Sequence, residues 1–397
     1  MFYHGFVLLL VAVSFMFENV EGLFVNSFQR RNFRRSELHA KTKPIKWIAC
    51  TSTREVTKAV EKYIKNKDCV AEIGSQLRET STAICNAVGS DGQVVLTDIE
   101  RKFPSSTKKE ERTSAMRRDG DEINFFRDRA HFSVMKSFDH WREIIFFRNV
   151  NSSERLKYDA FVIDISSVAG NDLDLTCISL IKELIAMNQD ASGENSCRCI
   201  IVKSGSLHKL AQRLVHAQRL FSGVETLDIY QDRTAIIATV GVEEYRRTIP
   251  FVVERGDDVA ELGSHFGTTT ALLHDTAHNS NDKNGGCIGF DVGPSIINAA
   301  RNRFPNVPFS VGDAWKSADI LRQKKQLMPH SSDSFDCVYV DVGGLSGSEG
   351  LLEAISLLSS ISNSIEPRVI VIKSLCVRRL ASSLVPYHDV HRNNKAS

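Results

Sequence analysis

The sequence predicts an α/β protein made of two tandem units, each with a mostly parallel, doubly wound sheet. Three observations lead there. Four stretches of the first half recur, in the same order, in the second half. Each is a short apolar run ending in an acid, a glycine or a lysine. Amphipathic helical patterns follow several of these runs. Strands alternating with helices imply right-handed crossovers and a parallel sheet covered on both faces. Recurrence at long offset implies a repeated unit. With 397 residues, 42% apolar and 25% charged, the chain is long enough for two globular cores, and collagen-like or largely disordered classes are excluded.

Along the chain, Asp68-Cys69-Val70-Ala71-Glu72-Ile73-Gly74-Ser75 matches Asp258-Val259-Ala260-Glu261-Leu262-Gly263-Ser264. Gln93-Val94-Val95-Leu96-Thr97-Asp98 matches Cys287-Ile288-Gly289-Phe290-Asp291. Tyr158-Asp159-Ala160-Phe161-Val162-Ile163-Asp164 matches Phe335-Asp336-Cys337-Val338-Tyr339-Val340-Asp341. Ile200-Ile201-Val202-Lys203-Ser204 matches Val369-Ile370-Val371-Ile372-Lys373-Ser374. Helical spacing covers 80–88, 178–187, 207–221, 295–303, 351–358 and 375–384. Residues 103–142 are charged and Ser/Thr-rich, which reads as a surface loop, and 144–150 reads as the third strand of the first unit. Residues 225–231 and 234–240 suit final antiparallel strands of that unit. The second unit has no counterpart after Lys373, so its sheet ends in an exposed strand unless the first unit or a partner covers it.

The second unit carries the clearer chemistry. Glu261-Leu262-Gly263-Ser264-His265-Phe266-Gly267-Thr268-Thr269 reads as strand end, glycine turn and helix start. Gly263 permits the tight turn, Gly267 permits close approach of backbone to a ligand, and Thr268 or Thr269 can cap the helix. Asp291 ends the next run, where an acid can take both hydroxyls of a ribose. Asp313 ends a third strand and can receive an exocyclic amine, and Asp341 ends a fourth. In a parallel sheet these ends share one edge, where ligands bind.

This order resembles the class I S-adenosylmethionine-dependent methyltransferases, a Rossmann-like family. The resemblance covers about residues 255–375 and, more loosely, 66–240. It places the family's glycine-rich turn on Glu261, Gly263, Ser264, Gly267 and Thr268, its ribose acid on Asp291, its adenine-side acid on Asp313 and its fourth-strand acid on Asp341. It implies S-adenosyl-L-methionine as cofactor and a methyl acceptor that the sequence leaves unnamed. A nicotinamide-binding domain prefers a middle glycine for the pyrophosphate, and His265 stands there instead. Asp341 is the candidate for substrate contact or base work. Lys373, with Lys203 at the same place in the first unit, resembles the lysine of ribose 2′-O-methyltransferases, including the fibrillarin type. A solvated or ion-paired lysine is the plainer alternative. Residues 225–235 loosely resemble fibrillarin's closing hairpin, although Thr234 stands where that family has a catalytic His. In the first unit Arg78 replaces the second glycine and Asn151 follows its third strand, so that copy reads as degenerate in cofactor binding. A non-catalytic interaction scaffold derived from the same fold is the alternative function.

The N-terminus reads as an address. Residues 6–17 are apolar but for Ser14, which is the length of a signal-peptide core and too short for a membrane span. Residues 23–46 are rich in Arg, Asn and Ser, like a plastid transit peptide. The organisation read is therefore 1–22 signal peptide, 23–46 transit-like segment, 47–245 first unit and 246–397 second unit. The destination is the plastid, with secretion as the alternative, and no transmembrane segment is expected in the mature chain. The first 46 residues hold seven Lys/Arg against three acids, leaving a net of −2 for the remainder, which does not favour RNA as a partner. Nine cysteines, an odd number without a CxxC pair, read as small buried hydrophobes rather than disulfides or metal ligands.

Overall fold

In this computed structural model, the residues described are 44–74, 79–99, 131–135, 156–165, 173–189, 195–224, 227, 233–278, 285–345, 347 and 350–388. The N-terminal address, Arg78, the stretch 144–150 and Asn151 lie outside them. Ile45–Ser397 form one compact unit, distinct from Met1–Pro44.

The first half runs β1 (Lys46–Cys50), α1 (Thr53–Tyr63), β2 (Cys69–Ile73), α2 (Glu79–Val88), β3 (Gln93–Ile99), β4 (His131–Met135), β5 (Ala160–Ile163), α3 (Leu173–Met187), β6 (Cys199–Lys203) and α4 (Gly205–Arg213). Then come β7 (Leu214–His216) and α5 (Ala217–Phe221). The second half runs β8 (Ala235–Thr239), α6 (Gly241–Arg247), α7 (Ile249–Val252), β9 (Asp258–Leu262), α8 (Thr268–Ala277), β10 (Gly286–Asp291), α9 (Pro294–Arg303) and β11 (Phe309–Val311). It continues with α10 (Ser317–Leu327), β12 (Cys337–Val340), α11 (Gly350–Ser364), β13 (Val369–Lys373), α12 (Leu375–Ser383) and β14 (Leu384–Pro386).

Two seven-stranded sheets result, ordered β14-β1-β6-β5-β2-β3-β4 and β11-β10-β9-β12-β13-β8-β7. Every pairing in both is parallel. The α/β, doubly wound architecture is thus as the sequence predicts, with the sheets parallel throughout. The strands are near-continuous apolar runs because both faces are covered. On β1, Trp47 and Ala49 enter a central core while Ile48 and Cys50 enter an outer one. On β13, Ile370 and Ile372 enter the same central core while Val369 and Val371 face the other outer layer. The central core draws on both halves.

Three local expectations change. The expected loop 103–142 contains β4, which adds to the edge of β3. The helical pattern 207–221 is broken by β7, because Leu214, Val215 and His216 add to β8 instead. Residues 234–240 do not close the first sheet as antiparallel strands: Ala235–Thr239 runs parallel to β13 in the second sheet.

The last change settles how the second sheet ends. Its β13 is flanked by β8, and β8 by β7, a strand that follows the first half's last helix. Reciprocally β14, which follows the second half's last helix, pairs with β1, setting Trp47 against Leu384. Each half donates its last short strand to the other's sheet, covering an edge that would otherwise expose unpaired backbone.

The halves also share their polar joints. Arg198 pairs with Asp68, and Arg368 with Asp257. Asp159 accepts from the Cys69 N–H as Asp336 accepts from the Asp258 N–H, each at 2.8 Å. The structural register therefore aligns Asp68 with Asp257, at the same 189-residue spacing that sets Gly74 on Gly263 in the sequence. Asp258 is occupied elsewhere: it holds the fully buried Lys324 at 2.7 Å. No disulfide links the nine cysteines, seven of which are buried. Among the described residues no helix is long and apolar enough to cross a membrane, and no cluster of His, Cys, Asp or Glu suits a metal ion.

Candidate functional site

The second sheet reverses its strand order between β9 and β12, and a crevice opens beyond their carboxyl ends. The chain leaves buried β9 through Gly263, whose φ is +88°. A Cβ there would lie 2.2 Å from the Asp341 carbonyl oxygen, so only glycine lets the turn cross the end of β12. Gly74 stands in the same relation to the Asp164 carbonyl, at 1.9 Å.

The turn then aims its groups. His265 takes a left-handed conformation, φ +48°, and its N–H donates to Asp291 Oδ2 at 3.1 Å. Asp291 Oδ1 accepts from the Gly293 N–H at 3.0 Å. The ribose-acid candidate is thus fixed by two backbone donors while keeping lone pairs for a ligand. Asp313 accepts from the Trp315 backbone N–H at 3.0 Å, and both residues line the same crevice. Asp341 Oδ2 takes the Lys373 ammonium, and Asp164 takes Lys203 at 2.9 Å in the other half.

These groups surround one cavity of about 660 Å³. Glu261, Gly263, Ser264, Thr268, Asp291, Asp313, Asp341 and Lys373, all singled out in the sequence, line it. Gly267 does not: a Cβ on it would lie 2.5 Å from the Phe309 ring, so its lack of a side chain serves packing rather than ligand approach. Gly267 is also the N-cap of α8, and no side chain caps that helix, so neither Thr268 nor Thr269 does so. The first amides of α8 stay open to an anionic group.

Glu261 is almost fully buried and receives the Thr270 hydroxyl. Burial pushes its carboxyl up to about 8, and the negative charge of Asp341 adds to this, while Thr270, Arg246 and Lys373 oppose it. Ser264 Oγ is buried and has no hydrogen-bond partner among the described residues, on a residue that lines the cavity.

Sequence reasoning missed the cavity's rim. Phe266, Val292 and Trp315 are 44%, 69% and 45% exposed, an apolar fringe around a carboxylate-rich floor. Arg246 was missed too. It lines the cavity and donates from Nε to Thr269 Oγ1 at 2.9 Å. It stands on α6, after β8, at the boundary where the sequence reading passes from the first unit, 47–245, to the second, 246–397. The cue was the echo of Glu55 in Glu244, each accepting the N–H of the residue four before it. Around Glu72, Gly74 and Asp164 the first half has a smaller cavity of about 270 Å³.

No protein-family model matches the chain, and no curated protein matches it. Among solved structures it is similar to a sugar N-methyltransferase from a Streptoalloteichus species, at 15% identity and TM-score 0.23, over 33% of this chain and 45% of that one. A TehB-like SAM-dependent methyltransferase from Corynebacterium glutamicum is 16% identical, TM-score 0.25, over 44% of this chain and 92% of that one. A protein from Thermoplasma acidophilum is 15% identical, TM-score 0.19, over 39% and 66%. The chain thus spans less than half the length of the first of these.

Proposed function

We propose that the chain is an S-adenosyl-L-methionine-dependent methyltransferase whose cofactor is held by the second half. One observation carries this reading: the cavity at the switch point gathers Glu261, Asp291, Asp313 and Asp341 around a glycine turn. The carboxylates of Asp291, Asp313 and Asp341, the last paired with Lys373, favour a ligand with positive charge, as a sulfonium and an α-amino group provide, while burial keeps Glu261 protonated at neutral pH. In this reading Asp291 takes the ribose hydroxyls, and Asp313, with Trp315 and Phe266 beside it, takes the base. The open amides of α8 take the carboxylate and Ser264 Oγ meets a polar group of the cofactor. The bound cofactor supplies an already activated methyl group. What the chain contributes is alignment and exclusion of water at the apolar rim. Asp341 contacts the acceptor. Lys373 is a positioning residue that orients Asp341, since the Lys203–Asp164 pair occurs where the cavity is small.

The two sheets, with their corresponding strand orders and repeated polar joints, support a tandem duplication in which the first half serves a structural or acceptor-binding role. The plastid address remains part of this proposal.

The test is calorimetry of the full chain with S-adenosyl-L-methionine and its demethylated product. Binding that falls at least ~10-fold in Asp291→Ala, about 1.4 kcal/mol, is expected. Absence of heat and of thermal stabilisation at millimolar ligand would overturn the reading and leave an interaction scaffold. Unchanged affinity in Asp291→Ala would place the site elsewhere.

A further inference from the structure

Beyond that reading, we propose that a second cavity, where the chain passes from the first sheet to the second, binds a small phosphorylated molecule through Lys209, Arg213 and Arg233. The cavity holds about 520 Å³ and lies on α4, between the end of β1, the residues before β8, and Ser362 of α11. Among the described residues its lining includes four cationic or ionisable basic side chains, His208, Lys209, Arg213 and Arg233, and no carboxylate.

The cations are arranged rather than merely adjacent. Arg213 donates from Nε to the Thr234 carbonyl at 2.8 Å and from Nη2 to Ser362 Oγ at 2.7 Å. Arg233 donates to Gln212 Oε1 at 2.6 Å. Both guanidinium groups are thereby fixed by neutral acceptors. Among the described residues neither makes an ion pair, and nor does Lys209. Glu55, in the first turn of α1, accepts the N–H and the hydroxyl of Thr51 at 2.7 Å. Half-burial and the neighbouring Arg233 charge both disfavour the charged state of Arg213. An entering dianion relieves that repulsion, which is the electrostatic complement such a site requires.

The other half shows what neutralisation looks like. There Arg378, at the position corresponding to His208, meets Glu244, corresponding to Glu55, in a largely buried pair at 3.1 Å. In the first half His208 stands in place of that arginine, and a cavity lies beside it. The volume suits a phosphate or diphosphate with a modest organic group rather than a polymer.

Inorganic pyrophosphate, titrated calorimetrically into the full chain at 150 mM NaCl, is the probe. One equivalent is expected to bind at sub-millimolar concentration and to raise the thermal midpoint. The double variant Lys209→Gln/Arg233→Gln changes two exposed side chains, and binding is expected to weaken at least ~10-fold. Lys209→Met alone, should the double variant unfold, is expected to weaken it several-fold. Arg246→Gln, in the other cavity, leaves pyrophosphate binding intact if the site is the one proposed. Absence of binding at millimolar pyrophosphate would overturn the proposal. So would equal affinity in the variants, or binding of single-stranded RNA that pyrophosphate cannot displace.

Discussion

Glu261 offers a stability measurement whose sign follows from its burial. In the unfolded chain its carboxyl loses a proton near pH ~4.3, and in the folded chain near 8. Between those values the folded state holds a proton that the unfolded state has released. Stability therefore falls as pH rises through that window, by up to ~1.4 kcal/mol per unit, and levels off above the folded value. From pH 6 to pH 8 this group alone accounts for about 2 kcal/mol. Glu261→Gln keeps the shape and leaves an oxygen for the Thr270 hydroxyl but cannot ionise. Urea unfolding of both proteins at pH 6 and pH 8 isolates the contribution. The parent is expected to lose about 2 kcal/mol more than the variant over that interval. Parallel losses would refute the argument, because they would mean that Glu261 ionises in the fold as it does in water.

Four further outcomes rest on packing, a buried ion pair and strand pairing. Gly263→Ala drives a Cβ against the Asp341 carbonyl at a left-handed φ, and a loss of about 3 kcal/mol or more is expected in denaturant titration. Gly343→Ala, where a Cβ meets open space, shifts the midpoint little. Lys324→Met strands Asp258 without its buried cation, a loss of about 3–5 kcal/mol by the same assay. Deleting 384–397 removes β14 and uncovers the edge of β1 beside Trp47 and Ile48. Increased aggregation at matched concentration, read by light scattering, is expected, and a monodisperse, equally stable truncation would contradict the strand exchange.

Much of the cavity floor was legible in the sequence because its residues end apolar runs. A strand's carboxyl end is a local property, and a parallel sheet gathers such ends on one edge. Glu261, Asp291, Asp313, Asp341 and Lys373 needed nothing more. Gly267 was legible as a turn but not in its purpose, since the Phe309 ring that forbids a side chain there is 42 residues away in sequence. Arg246, Phe266 and Trp315 carry no periodic signal, because a rim is made by proximity.

The sequence by itself determined the alternation of strands and helices and the positions of the acids, since hydrophobic period and turn chemistry are read within a few residues. Only the tertiary structure decided which sheet each short strand joins. Leu214-Val215-His216 and Leu384-Val385-Pro386 are too brief to announce a partner, and backbone hydrogen bonding to β8 and β1 assigns them. The same folding set three cations, without an ion pair among the described residues, around one cavity and four carboxyl groups around another, because charge is placed by long-range packing and not by neighbours in the chain.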